Sequence, residues 1–155
     1  MKRFVTVVLL VMSSLSVVGS AASVQDNSDS DSRSSAFLTD MKSTIEKYLG
    51  RPYVWGASGM KSFDCSGFVW RVMTENGILL KRTTARKFYM ILKPAPKEEE
   101  WNFGTVVFFD DLKHVGIINS PNTFYQAQVS IGTNLSPMNS YWRPKISGFR
   151  RMPQP

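Results

Sequence analysis

Phe63-Asp64-Cys65-Ser66-Gly67-Phe68-Val69 is the stretch on which the reading of this chain turns. It holds the only cysteine among 155 residues. From Cys65 onward the apolar positions Phe68, Val69, Val72 and Met73 recur at helical spacing until Asn76-Gly77 ends the run. Cys65 is therefore expected at or near a helix N-terminus, where the partial positive charge of the first turn favours a thiolate. A single cysteine closes no internal disulfide, so Cys65 is either a reactive thiol or a small core residue.

Upstream, Arg51 to Phe63 carries Pro52, Gly56, Gly59 and three aromatic residues, the mark of an irregular loop packed against the domain. Before it, Phe37, Leu38, Met41, Ile45, Tyr48 and Leu49 predict a first helix beginning near Ala36, with Ser34 or Ser35 as N-cap and Gly50 as a left-handed C-cap. Residues 23–35 are almost free of apolar side chains and read as a disordered Ser/Asp-rich tether. Residues 1–22 read as a Sec-type signal peptide: Lys2 and Arg3, an apolar run from Val5, then Ser20-Ala21-Ala22. A retained membrane anchor is the competing reading, weakened by Ser13, Ser14, Ser16 and Ser20. No cysteine follows the apolar run, so no lipobox is present. The folded domain is expected over residues 36–155.

Downstream, Thr83 to Leu92 predicts a short helix, and Lys93 to Glu100, with two prolines and three consecutive glutamates, a solvated connection. After Gly104 the chain turns to β-branched and aromatic runs at 105–109, 114–118, 123–127 and 146–151, separated by Asp110-Asp111, Ser120-Pro121-Asn122 and Asn139-Ser140. Helices first and strands afterwards predict an α+β domain with an antiparallel sheet.

His114, the only histidine, opens the second of these strands. Imidazole beside a thiol accepts its proton and later protonates a leaving amine. Cys65 and His114 meet only if the strand at His114 packs against the N-terminus of the Cys65 helix. Taken separately, each residue has an ordinary structural role open to it. One cysteine and one histidine do not make a four-ligand zinc site, and no metal or organic cofactor is expected. Without Lys2 and Arg3 the chain keeps 17 basic against 12 acidic residues, a net charge of +5. That balance suits anionic partners, and an exported protein meets cell-wall polymers and lipid headgroups before nucleic acid.

Four motifs in order, Pro52-Tyr53-Val54-Trp55-Gly56, Phe63-Asp64-Cys65-Ser66-Gly67-Phe68-Val69, Val106-Val107-Phe108-Phe109 and His114-Val115-Gly116-Ile117, resemble the NlpC-type peptidoglycan endopeptidases, compact relatives of the papain-like cysteine peptidases. The resemblance spans roughly residues 36–151. It implies hydrolysis of peptidoglycan stem peptides, typically at the γ-D-glutamyl–diamino acid bond, with Cys65 as nucleophile and His114 as base. It also implies a polar residue on the next strand that orients the imidazole. Many members carry His-Ala there; this chain has Gln126-Ala127, and an amide oxygen is able to accept the far imidazole N–H. Gln128 shares the strand face of Gln126 by alternation and is the fallback.

Tyr53 matches the tyrosine that lines the catalytic pocket, or packs the loop as a half-buried aromatic. Asp64 matches the acid that receives a substrate ammonium in members recognising a free stem-peptide amino terminus, and is equally an N-cap. Ser66 is a substrate-binding candidate, and the Cys65 backbone N–H, with Tyr53, a candidate oxyanion site. Arg82-Thr83-Thr84 resembles the family's Arg-Thr-Ser stretch at the cleft edge. The expectation is an exported thiol protease, periplasmic or secreted, monomeric, without nucleic-acid partners or stable membrane insertion. A catalytically lapsed wall-binding protein and an amidase or acyltransferase on the same fold are the alternatives.

Overall fold

The computed structural model describes residues 22–155. The leader read over 1–22 lies, but for Ala22, outside the described residues. Three helices, α1 (Ala22–Lys47), α2 (Cys65–Glu75) and α3 (Ala85–Ile91), precede five strands. These are β1 (Val106–Phe109), β2 (His114–Ser120), β3 (Thr123–Gln128), β4 (Gly132–Pro137) and β5 (Ile146–Arg150). All pairings are antiparallel, in the order β4-β3-β2-β1-β5. This is the α+β architecture expected from the order of the patterns. No described helix is long and apolar enough to cross a membrane.

α2 forms the hub because its apolar stripe faces the sheet. Phe68, Val69, Val72 and Met73 are fully buried, and the helix packs on β2 and β3. Burial of each such side chain stabilises by roughly 1.5–3 kcal/mol. Asn76 and Gly77, the latter at φ +82°, end the helix where the sequence places its stop. Gly67 is required in its first turn: a Cβ there would lie 2.0 Å from the Ala57 carbonyl oxygen. Its absence lets the 51–63 loop press against the helix start.

The tether reading of 23–35 is corrected, because these residues continue α1 as helix. Burial of Phe37, Met41, Ile45 and Tyr48 anchors the C-terminal half of α1, and extending an established helix costs little per residue. The Ser/Asp composition reports side-chain exposure, which a one-sided helix satisfies as well as a coil; Asp29, Ser30 and Asp31 are indeed exposed. Ser34 and Ser35 accordingly lie inside the helix and are not its cap. Gly50 does adopt the left-handed conformation, φ +76°.

The connection 93–100 lies at the surface as its charge suggests, with no residue buried, and Arg151 donates there to both carboxylate oxygens of Glu99. β4 was not foreseen. Its sequence, Gly132-Thr-Asn-Leu-Ser-Pro, is polar, and its order comes from pairing with β3 and from reciprocal backbone bonds, Gly50 N–H to Thr133 O and Thr133 N–H to Arg51 O, both 2.8 Å.

The sheet is covered on both faces. The helical face holds Val106, Phe108, Val115, Ile117, Tyr125 and Ala127 against α1 and α2. The opposite face holds Val107, Phe109, Ile118, Phe124 and Met138 beneath Trp101 and Trp142. Alternation and register place His114 and Gln126 on this second face, beside Phe109 and Phe124.

Candidate active site

Cys65 is the first residue of α2, and its Sγ lies 4.0 Å from the Lys113 carbonyl oxygen at the entrance to β2. Lys113 directly precedes His114, so the thiol is held against the main chain where β2 opens. Burial pushes the Cys65 thiol above its ordinary value of 9.0, and the Asp64 carboxylate adds to the rise. The Val115 and Ser66 backbones and the Arg82 charge pull the other way. Burial thus prevails over these lowering contacts, and the balance favours the thiol over the thiolate.

His114 reaches the site from a tight β1–β2 turn in which Asp110, Asp111 and Leu112 all adopt left-handed backbone, φ 51°, 53° and 68°. Non-glycine residues hold such a conformation only where the surroundings impose it. Here Lys145 pairs with Asp110 at 3.6 Å and Arg86 donates to the Asp111 carbonyl at 2.7 Å. The imidazole stacks on Trp142, centroids 5.4 Å apart and planes 24° from parallel, with Phe109 at 6.0 Å. This burial holds His114 below its ordinary 6.5, against the raising effects of the Gln126 hydrogen bond and Asp110; Lys145 reinforces the lowering. Both shifts favour the uncharged thiol–imidazole pair at rest.

Gln126, fully buried on β3, places Oε1 2.6 Å from His114 Nε2. An amide oxygen only accepts, so Nε2 carries the proton and Nδ1 the lone pair. Gln128 does occupy the same face, but it meets Gln126, whose Nε2 donates to Gln128 Oε1 at 3.2 Å. Gln126 makes the contact to the imidazole.

Asp64 and Ser66 are brought together with Arg82. Asp64 caps α2, accepting from Gly67 N–H at 2.6 Å, and also accepts from Gly56 N–H at 2.9 Å. Arg82 Nη2 donates to its two oxygens at 2.7 and 2.8 Å, and Arg82 Nη1 to Ser66 Oγ at 3.0 Å. Ser66 donates in turn to Asp64 Oδ1 at 3.1 Å. The Asp64 carboxylate is thereby occupied by its own chain. Tyr53 is half-buried, and burial, reinforced by the negative charge of Asp64, raises its phenol, which stays a protonated donor. Among the described residues, no group of three or more His, Cys, Asp or Glu is placed to hold a metal ion.

Three contributors escaped the sequence reading. Trp142 lies in a polar segment after β4, and only its fold-back shows that it covers His114. Ser136 and Asn134 sit on the unforeseen strand. A polar pattern alone gave no signal for either.

Residues 50–151 match the NlpC/P60 family. In Bacillus subtilis, the protein named Probable peptidoglycan endopeptidase LytE is 32% identical over 119 residues, covering 74% of this chain and 34% of that protein. The Gamma-DL-glutamyl hydrolase of the same organism is 36% identical over 114 residues, 68% of this chain and 27% of its own length. The chain thus spans about a third or less of these two relatives. A crystal structure of a lipoprotein-like member from Staphylococcus aureus superposes with a TM-score of 0.67 at 30% identity, covering 77% of this chain and 42% of that one. With the family matched across most of the described domain and its fold reproduced, this chain belongs to the NlpC/P60 family.

Proposed function

We propose that the protein is a cysteine endopeptidase that hydrolyses peptidoglycan stem peptides, at the γ-D-glutamyl–diamino acid bond. The observation that carries this reading is the arrangement around the lone histidine. Gln126 fixes its Nε2 proton, and the lone thiol is seated against the strand that opens with His114. The names of the two Bacillus relatives, a peptidoglycan endopeptidase and a γ-glutamyl hydrolase, support the bond assignment.

In this mechanism the thiol attacks the scissile carbonyl while its proton passes to His114 Nδ1. The tetrahedral oxyanion is met by the Cys65 backbone N–H and the protonated Tyr53 hydroxyl. The imidazolium, its Nε2–H still donated to Gln126, protonates the departing amine as the thioester forms. Water then attacks the thioester, His114 taking its proton, and the acid leaves as the thiol is restored. No metal or organic cofactor enters these steps. The basic surface charge suits an anionic wall, and the reading includes export to the periplasm or medium, beyond the signal-peptide segment, as a monomer.

A second reading, binding to peptidoglycan without cleavage, draws on the raised Cys65 thiol. Incubating the chain lacking its leader, and its Cys65→Ala variant, with purified sacculi separates the two. Soluble dipeptide-bearing muropeptides from the unsubstituted chain alone establish the endopeptidase and its bond. Pelleting without products from either establishes the binding protein, and equal cleavage by Cys65→Ala removes the thiol mechanism.

A further inference from the structure

The register Gln128↔Gly132, Gln126↔Asn134 and Phe124↔Ser136 sets these β3 and β4 residues on one face, where their polar groups form a chain of defined direction. It begins at the Gly132 carbonyl, which only accepts: Asn134 Nδ2 donates to it at 2.8 Å. Asn134 Oδ1 therefore faces away, towards Ser136, whose hydroxyl donates to it. With its proton committed there, Ser136 Oγ presents a lone pair, and Gln126 Nε2 donates to it at 2.7 Å. The second Gln126 N–H goes to Gln128 Oε1. Only Oε1 of Gln126 is left to face His114.

We infer that Ser136, anchored by Asn134, is a positioning residue that fixes the Gln126 amide and thereby keeps the His114 proton on Nε2 and the lone pair on Nδ1. The inference rests on the reading of the chain as a Cys–His hydrolase. An amide turned by 180° has nearly the same shape, so hydrogen bonding alone decides which end meets His114. A turned Gln126 donates to Nε2, forces the imidazole proton onto Nδ1 and removes the base. Gln128 is the weaker guide, because its own amide is held only by a 3.4 Å bond to Ser130 and turns with Gln126. Gln126 is 0% and Ser136 5% exposed, so bulk water does not replace the hydroxyl.

The test uses the one histidine, whose two-bond proton–nitrogen NMR correlations need no assignment. The unsubstituted chain, Ser136→Ala and Ser136→Thr are compared at a pH where the ring is neutral. Ser136→Ala is expected to populate the Nδ1–H tautomer and to lower kcat about tenfold at unchanged KM, with Ser136→Thr restoring both readouts. A Ser136→Ala spectrum identical to that of the unsubstituted chain overturns the inference, as does a kcat that follows Tm rather than the hydroxyl. If the unsubstituted chain cleaves no muropeptide, the functional reading fails, and the spectra alone uphold or overturn the role of Ser136.

Discussion

Arg82 grips both carboxylate oxygens of Asp64 at 2.7 and 2.8 Å, one residue before Cys65. The pair ties the 51–63 loop, the start of α2 and the segment before α3 into one unit, with Asp64 also capping the helix. Arg82→Ala leaves a nearly buried carboxylate without its counter-ion, and a destabilisation of roughly 2–3 kcal/mol is expected, below the fully buried limit because the Arg82 side chain is 25% exposed. Asp64→Asn, which keeps an acceptor for the cap, should cost less. Urea midpoints read both, and an unshifted midpoint for Arg82→Ala would make the pair ornamental to stability.

Gln126→Ala removes the acceptor of the His114 Nε2 proton and should lower kcat by about 10²-fold, the scale of a lost general base. Gln126→Glu instead places a carboxylate at 2.6 Å, favouring the imidazolium. In the proposed mechanism His114 must be neutral to take the thiol proton, so the acidic limb of the kcat/KM profile should move to higher pH. A limb that stays in place would disconnect Gln126 from the titrating imidazole.

Stability should depend on pH through the same ring. The folded-state pKa of His114 lies below 6.5, its ordinary value in the unfolded chain. Above about pH 6.5 the ring is neutral in both states and its contribution is complete; as pH falls towards and through the folded value, the unfolded chain binds the proton first and stability is lost. The drop in urea stability between about pH 7.5 and pH 5 should therefore be smaller in His114→Gln than in the unsubstituted chain. Trp142→Ala, which uncovers the ring, should move its NMR titration up towards 6.5.

Cys65 should be slow to alkylate at neutral pH. Burial and Asp64 hold the thiol above 9.0, so the iodoacetamide rate is expected to climb through and beyond that value. A plateau already reached below about pH 8 would mean that an ion pair with His114 outweighs burial. Asp64→Asn removes the adjacent negative charge and should shift the curve to lower pH.

Local pattern was enough to place α2 and its stop at Asn76-Gly77, a short helix within 83–92, four of the five strands and the α+β class. These features are written in apolar periodicity and in turn residues, which act over a few neighbours. The sequence also singled out Cys65 and His114, because each is the only residue of its kind, and Gln126 by its place in a motif.

What tertiary structure alone decided is everything that depends on a neighbour distant in the chain. β4 is polar and acquires its order from β3 and from the 50–51 backbone, so no internal pattern announces it. α1 extends through a Ser/Asp run because its C-terminal half is anchored on the core. The lowering of His114 follows from burial beside Trp142 and Phe109, and the raising of Cys65 chiefly from burial, to which the neighbouring Asp64 adds. The proton on Nε2 of His114 follows from a hydrogen-bond direction that starts at the Gly132 carbonyl. Periodicity records which face of an element is apolar; it does not record what the fold brings against that face, and burial, charge and hydrogen-bond direction are set by that second fact.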